Sequence, residues 1–241
     1  MKRLDLIVAE KANVSREYAK EIISLGQVYA NGKVLTKPGA KIDDDCDITL
    51  TAEKMKYAGR GGYKLEAALE AFKISVKGLV CGDIGASTGG FTDCMLQNGV
   101  EKVYAIDAGT DQLIQKLRKD SRVVSIENTN VRYLFELPEK LDFIAIDVSF
   151  ISVTKIIQNV SSLIKNGGMV VCLIKPQFEV GKGNLNKKGI VTDVKIRDSA
   201  VKSVLTAFEN SGYGIVGLIE SPVVGGGGNI EFLAHLQFNL S

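Results

Sequence analysis

Residues 83–93, Asp83-Ile84-Gly85-Ala86-Ser87-Thr88-Gly89-Gly90-Phe91-Thr92-Asp93, constrain this chain more than any other stretch. The apolar run Leu79-Val80-Cys81 leads into them, and a helical pattern of Phe91, Cys94 and Met95 leads out. A strand that turns through small residues into a helix start gathers backbone N–H groups and the positive helix end at one spot. Such a spot suits the ribose, carboxylate or phosphate end of a cofactor.

From residue 79 onward, strand-like runs and helical stretches alternate. The runs are Val80–Ile84, Val103–Ile106, Val123–Ile126, Phe143–Ile146 and Met169–Ile174, with helical patterns at Phe91–Gln97, Gln112–Leu117 and Val153–Ile164. A helix over Lys195–Phe208 and two late strands, Gly214–Ile219 and Ile230–Phe238, close the chain. This alternation of near-continuous apolar strands with helices predicts an α/β fold with a parallel sheet covered on both faces. In a doubly wound sheet, ligands bind beyond the carboxyl ends of the strands, where strand order reverses. Those ends carry the glycine-rich turn, Asp107, Glu127-Asn128, Asp147 and Lys175-Pro176. Asp107 follows Gly85 by 22 residues, about where a ribose-binding carboxylate belongs.

The turn departs from the dinucleotide fingerprint, because Ser87 stands where G-x-G-x-x-G requires its second glycine. That glycine lets the backbone approach a pyrophosphate, so a nucleoside cofactor without phosphates, such as S-adenosylmethionine, fits better. Gly85-Ala86-Ser87-Thr88-Gly89 also satisfies the G-x-S-x-G nucleophile elbow, and Ser87, Asp147 and His235 follow in hydrolase order. Against that reading, the turn follows the first strand of its sheet, no HGGG-type oxyanion loop is present, and His235 lies inside an alternating strand.

The first 50 residues have another character. A short helix is expected over residues 3–11, and a second one is capped by Ser15, buried through Tyr18, Ala19, Ile22 and Ile23, and stopped at Gly26. Val28-Tyr29-Ala30, Asn31-Gly32 and Lys33-Val34 spell a hairpin, and Ile48-Thr49-Leu50 a closing strand. Residues 1–41 hold eight Lys or Arg against four acids, and Asp43-Asp44-Asp45-Cys46-Asp47 then offsets that excess. In Arg3-Leu4-Asp5, Ser15-Arg16, Gly26-x-Val28, Asn31-Gly32 and Lys37-Pro38-Gly39 this region resembles an S4 RNA-binding domain. The resemblance implies a basic surface resting on structured RNA by shape and phosphate contacts, with Arg3, Arg16, Lys20, Lys33 and Lys37 as its cations and Arg60 beyond them.

The remaining motifs resemble the TlyA family of S4-containing ribosomal RNA 2′-O-methyltransferases across essentially the whole chain. They are Arg60-Gly61-Gly62-Tyr63-Lys64-Leu65, the turn itself, Asp147-Val148-Ser149-Phe150-Ile151-Ser152, Ile174-Lys175-Pro176-Gln177-Phe178-Glu179, Lys188-Gly189-Ile190-Val191 and Gly228-Asn229-Ile230-Glu231-Phe232-Leu233. The catalytic part resembles the FtsJ-like enzymes, whose Lys-Asp-Lys-Glu tetrad falls on Lys64, Asp147, Lys175 and Glu231. The implied fold is a Rossmann-like S-adenosylmethionine-dependent methyltransferase domain, residues 60–241, joined by a linker, 53–59, to a small α+β S4-like domain, 1–52. The implied cofactor set is Asp83, Gly85, Ala86, Ser87, Thr88, Gly89, Gly90, Phe91, Asp107, Glu127, Asn128 and Asp147, with no metal. The implied substrate is cytidine in 16S or 23S rRNA, or both, on ribosomal subunits.

The tetrad makes chemical sense on its own. A ribose hydroxyl is a poor nucleophile near neutral pH, so attack on a sulfonium methyl needs a base or a strong orienting group. A lysine serves as base when burial and a nearby cation disfavour its charged form, and Lys64 and Lys175 would do this to each other. Lys175 is the expected base, oriented by Asp147, with Lys64 and Glu231 positioning the ribose. The alternative is a non-catalytic RNA-binding or ribosome assembly factor that keeps the fold. Lys182, Lys187 and Lys188, in a Gly-rich loop, are further candidates for phosphate contact.

Composition narrows the classes. With 45% apolar residues and a net charge of +2, the chain can build a sizeable core but does not argue for nucleic acid by charge alone. No apolar stretch approaches the ~18 residues of a membrane span, which leaves the haemolysin label the family also carries without a pore-forming segment. The four cysteines form no C-x-x-C pair, Cys81 and Cys172 sit in apolar runs, and no signal peptide is visible. A cytoplasmic protein without an obligate protein partner is expected.

Overall fold

In the computed structural model, all residues are described except 13, 15, 44, 52–54, 134 and 240–241. The expected Ser15 cap, Asp44 of the acidic run and the first two residues of the expected linker, 53 and 54, lie outside the described residues.

The N-terminal part builds β1 (Lys2–Arg3), α1 (Leu4–Ala12), α2 (Arg16–Ser24), β2 (Val28–Ala30), β3 (Lys33–Val34), β4 (Lys41–Ile42) and β5 (Ile48–Leu50). β1 pairs with β4, and β2 sits between β3 and β5, all antiparallel. The first N–H groups of α1, at Leu4 and Asp5, donate to the carbonyls of Ala40 and Pro38, so the Lys37-Pro38-Gly39 turn starts that helix. Gly26 ends α2 with positive φ, its N–H and that of Gln27 returning to Ile23 and Ile22. Asn31 and Gly32 both take positive φ, as a two-residue hairpin turn requires. Leu4, Val8, Ala19, Ile22, Ile23 and Val28 form the small core.

The larger part runs α3 (Gly61–Ala71), β6 (Val80–Ile84), α4 (Gly90–Gln97), β7 (Lys102–Ile106), α5 (Gln115–Arg118), β8 (Val123–Ile126), β9 (Leu141–Ile146), α6 (Ile157–Leu163), β10 (Ile164–Ile174), α7 (Pro176–Glu179), α8 (Val194–Glu209), β11 (Tyr213–Glu220) and β12 (Phe232–Phe238). Sheet order is β11-β12-β10-β9-β6-β7-β8. The five strands from β10 to β8 are parallel, as the apolar runs predict. The sheet is nevertheless not wholly parallel. β12 inserts antiparallel between β10 and β11, because the short return from β11 leaves no crossover helix between the two.

Both faces are covered. Leu65, Leu69, Cys94 and Met95 from α3 and α4 pack on one side, and Val160, Val201, Val204 and Phe208 from α6 and α8 on the other. Cys81, Cys94 and Cys172 are buried free thiols. The expected helix over 112–117 is reduced to α5. The one over 153–164 divides into a 3-10 turn at Val153–Lys155 and α6, because the Ser152 hydroxyl caps that turn by accepting from the Thr154 N–H. No helix among the described residues is long and apolar enough to cross a membrane.

The chain leaves β6 toward β7 and β8, then returns to lay β9 on the other side of β6. The order therefore reverses between β6 and β9, which brings the ends of these strands together at the glycine-rich turn.

Candidate active site

The site begins with two close backbone approaches. Gly85 has φ 86°, and a Cβ there would lie 2.3 Å from the backbone oxygen of Asp147. Only glycine lets the ends of β6 and β9 meet so closely. A Cβ on Gly90 would lie 2.9 Å from Gly62 N and 3.2 Å from Gly59 O, so the starts of α3 and α4 touch backbone to backbone. That contact is what carries Lys64, in the first turn of α3, to the turn after β6. The Ala58 N–H donates to Asp93 on α4 at 2.9 Å, and the buried Tyr57 ring packs edge-on against Tyr63.

Two lobes open along this edge. A smaller one, about 200 Å³, is lined by Lys64, Asp83, Gly85, Thr88, Asp147 and Val224. A larger one, about 510 Å³, is lined by Ile106, Asp107, Gln112, Asn130, Val148 and Phe150. Gly85, Ser87 and Asp147 belong to both, so the lobes form one cleft.

Asp83, at the end of β6, is wholly buried. Its Oδ2 accepts the Thr92 N–H at 2.8 Å and the Thr92 hydroxyl at 2.6 Å, whereas Oδ1 has no partner among the described residues. Burial, against the relief given by Thr92, pushes its carboxyl up to about 7. Asp107 accepts the Ser87 N–H on one oxygen and the Gly109 N–H on the other, at 2.8 and 2.7 Å. It thereby fixes the crest of the turn, where Ser87 holds φ 47°.

The four tetrad positions come together as two ion pairs. Lys64 Nζ lies 2.6 Å from Glu231 Oε2, with Lys64 8% and Glu231 2% exposed. Lys175 Nζ lies 2.5 Å from Asp147 Oδ1, off the hydrogen-bonding direction, and donates to Ser149 Oγ at 2.7 Å. Each lysine thus has its own carboxylate, an arrangement that spacing alone did not distinguish from two lysines pressed together. Glu231 precedes β12 rather than lying within it, and its second oxygen accepts from Gln177 Nε2 at 2.9 Å.

Among the other expected residues, Ala86, Thr88, Gly90 and Phe91 line the smaller lobe, and Gly89 makes the turn behind them through its N–H to Ala86 O. Glu127 and Asn128 do not line the cleft. The Glu127 carboxylate is taken by Arg118 and by the Asp111 N–H, and the next residues, Thr129 and Asn130, face the larger lobe instead. Ser149, Gln177 and the Val223-Val224-Gly225 wall enter the site unanticipated; the Gly225–Gly228 run was the one signal pointing to that wall.

The hydrolase constellation is not assembled. His235 pairs in the middle of the sheet with Val171 and Gly217, its ring sits 5.4 Å from Phe72, and neither ring nitrogen has a partner among the described residues. Of the expected RNA-contacting cations, Arg3 and Arg16 both bind the buried Asp5, at 2.9 and 3.0 Å, and remain 43% exposed. Lys33, Lys37 and Arg60 are exposed and Lys20 is half-buried.

Comparisons with known proteins place the chain in a family. The family profile of FtsJ-like methyltransferases matches residues 57–238, and that of the S4 domain residues 2–47. The Bacillus subtilis protein YqxC is 46% identical, over 98% of this chain and 85% of its own length. The 16S/23S rRNA (cytidine-2′-O)-methyltransferase TlyA of Mycobacterium tuberculosis is 39% identical, over 92% of this chain and 84% of its own. A solved hemolysin-labelled structure from Streptococcus thermophilus superposes with a TM-score of 0.80 at 45% identity, covering 100% of this chain and 89% of that one.

Proposed function

Because the chain belongs to the TlyA family, an S4 domain joined to an FtsJ-like methyltransferase, we propose that it methylates a ribose 2′-hydroxyl of ribosomal RNA, at cytidine in 16S or 23S rRNA, using S-adenosylmethionine. The observation that carries this reading is a cleft lined by Lys64 and Asp147, one member from each of two ion pairs, and by a buried aspartate with one oxygen unpartnered among the described residues.

The residues present fit the cofactor. Asp83 Oδ1 offers a desolvated acceptor for the ammonium of its methionine end, Gly85 and Gly90 line the lobe beside it, and Asp107, in the lining of the larger lobe, would meet the ribose hydroxyls. When bound, S-adenosylmethionine would supply a sulfonium methyl for transfer to the ribose oxygen, with a thioether as the leaving group. Lys175, held by Asp147 and Ser149 as an ammonium in the resting site, first gives up a proton to solvent; its free amine then holds the attacking hydroxyl and accepts that proton. Lys64, fixed by Glu231 and lining the smaller lobe, orients the ribose. Holding the ribose hydroxyl in one place in this way would supply much of the acceleration.

The S4 domain serves as the RNA-docking face. Lys33 and Lys37 would contact phosphates directly, and Arg3 and Arg16 would use the guanidinium edges that Asp5 leaves free. The division at residues 52 and 59, the roles of Lys20 and Arg60, and a cytoplasmic site of action belong to the same reading.

The test is transfer of labelled methyl to ribosomal subunits that lack the modification, followed by nucleoside mapping. A 2′-O-methylcytidine product is expected, with Lys175→Ala about 100-fold slower or worse. Cofactor binding without transfer to either subunit would favour the non-catalytic assembly factor instead.

A further inference from the structure

The two ion pairs are built on four separated elements, yet both are gripped by one short turn. α7 (Pro176–Glu179) follows Lys175 directly. On one side Gln177 donates to Glu231, the acid that holds Lys64. On the other, Glu179 Oε2 accepts the Ser152 hydroxyl at 2.5 Å and Oε1 accepts the Val153 N–H at 2.9 Å. Those residues end the loop that begins with Asp147 and contains Ser149.

That loop needs holding. Phe150, at its middle, has φ 65°, a left-handed conformation that a bulky non-glycine residue keeps only when its surroundings over-determine it. One end is tied by the Asp147 N–H to Ile84 O at 2.8 Å. Glu179 ties the other end. The ring of Phe178, from the same turn, lies 5.2 Å from that of Phe150 and 5.9 Å from Lys175 Nζ. Val148 and Ile151 pack against the core between these two ties, and the grip at Ser152 and Val153 is the polar contact that ends the loop holding Ser149 Oγ against Lys175.

We propose that Glu179 is a positioning residue for methyl transfer: by clamping Ser152 and Val153 it sets the loop so that Asp147 and Ser149 steer Lys175, while Gln177 does the same for Glu231. This rests on the methyltransferase reading above. Neither residue touches the reacting atoms. Their effect is on the placement of Nζ, where a misfit near 1 Å costs about 100-fold in rate.

The experiment compares wild type, Glu179→Ala, Glu179→Gln and Gln177→Leu. Glu179→Ala is expected to lower kcat about 10- to 100-fold, with the KM for RNA and the Kd for S-adenosylhomocysteine within about threefold. Its kcat–pH profile should shift as Lys175 loses Ser149. Glu179→Gln should recover most of the rate, because its amide oxygen can still accept the Val153 N–H and its amide nitrogen can donate to Ser152. Gln177→Leu should lower kcat with an unshifted profile, since it acts through the other pair. Equal loss in the alanine and glutamine variants, or wild-type rate in all, overturns the proposal. A readout free of activity accompanies this: the Nζ ammonium resonance of Lys175, slowed in exchange by Asp147 and Ser149, should be lost in Glu179→Ala and kept in Glu179→Gln. An unchanged resonance overturns the proposal even if the wild-type enzyme transfers no methyl, an outcome that by itself would count only against the methyltransferase reading. If Glu179→Ala does not fold, Gln177→Leu and the glutamine variant decide through the same readouts.

Discussion

Asp5 in the small domain and Asp83 in the large one are equally buried, both at 0% exposure, yet they do opposite things. Asp5 is closed by two arginines, and the Arg3 hydrogen bonds hold its carboxyl down at about 2. Asp83, which lines the cleft, has one oxygen closed by Thr92 and one without a partner among the described residues, and burial holds its carboxyl up at about 7. The first carboxylate has spent its charge on the fold. The second costs the fold free energy while ionised, and the cofactor's ammonium would recover it. Burial is therefore common to both, and the count of partners is what differs between them.

The largest way to break this comparison is Asp83→Asn. The amide keeps an acceptor for Thr92 but removes the charge from the cleft, so affinity for S-adenosylmethionine should fall about 100-fold by calorimetry. The apoprotein's thermal midpoint should hold or rise, since an uncompensated buried charge has gone. A variant that lost stability and kept affinity would make Asp83 a second Asp5.

pH separates the pair next. Between about pH 4 and pH 7 the native Asp83 retains a proton that the unfolded chain has released, so its contribution to apoprotein stability falls as pH rises through that window. Cofactor affinity runs the other way, rising about tenfold per unit up to about pH 7 and then levelling. Asp5 has the reverse linkage: its contribution is complete above the unfolded value near pH 4 and is lost as pH falls toward about 2. Titrating stability and affinity in wild type and Asp83→Asn checks both slopes.

Much of this site was readable before any coordinates. The turn after β6 and the polar ends of the parallel strands, Asp147 and Lys175 among them, are local motifs that a doubly wound order forces into one place, whereas Lys64 and Glu231 were implied only by the resemblance to the FtsJ-like tetrad. What the sequence could not show were pairings across long separations. Gln177 meets Glu231 across 54 residues because β12 inserts antiparallel beside β10, and periodicity carries no information on that insertion. Glu127 ends a strand as Asp107 does, yet Arg118 on the neighbouring helix claims it, so a strand-end acid need not be a ligand. Nor could spacing reveal that only one oxygen of Asp83 would be satisfied.

A third measurement tests the structural side. Asp5→Ala should cost about 1–2 kcal/mol, less than a fully buried pair, because half-exposed Arg3 and Arg16 return to water. Chemical denaturation should show the loss, with cofactor affinity within twofold of wild type and RNA affinity reduced only as far as the two guanidinium groups wander. Reduced cofactor affinity would mean that the small domain's charge network reaches the cleft.

The smallest effect sharpens what an unpartnered buried group means. His235 resembles Asp83 in having polar atoms without partners, but it lies between β10 and β11 against Phe72 and lines neither lobe of the cleft. Burial lowers its affinity for a proton, so the native ring stays neutral where the unfolded one charges, and stability should be lost as pH falls below about 6.5. His235→Phe removes both unsatisfied nitrogens and keeps a ring against Phe72. It should raise stability by about 1 kcal/mol at pH 7 and by more at pH 5.5, with methyl transfer unchanged. If the variant instead lost activity at full stability, the rule drawn from Asp83 would extend to His235. If it behaves as expected, an orphaned buried atom signals a ligand only where a cleft gives the ligand access.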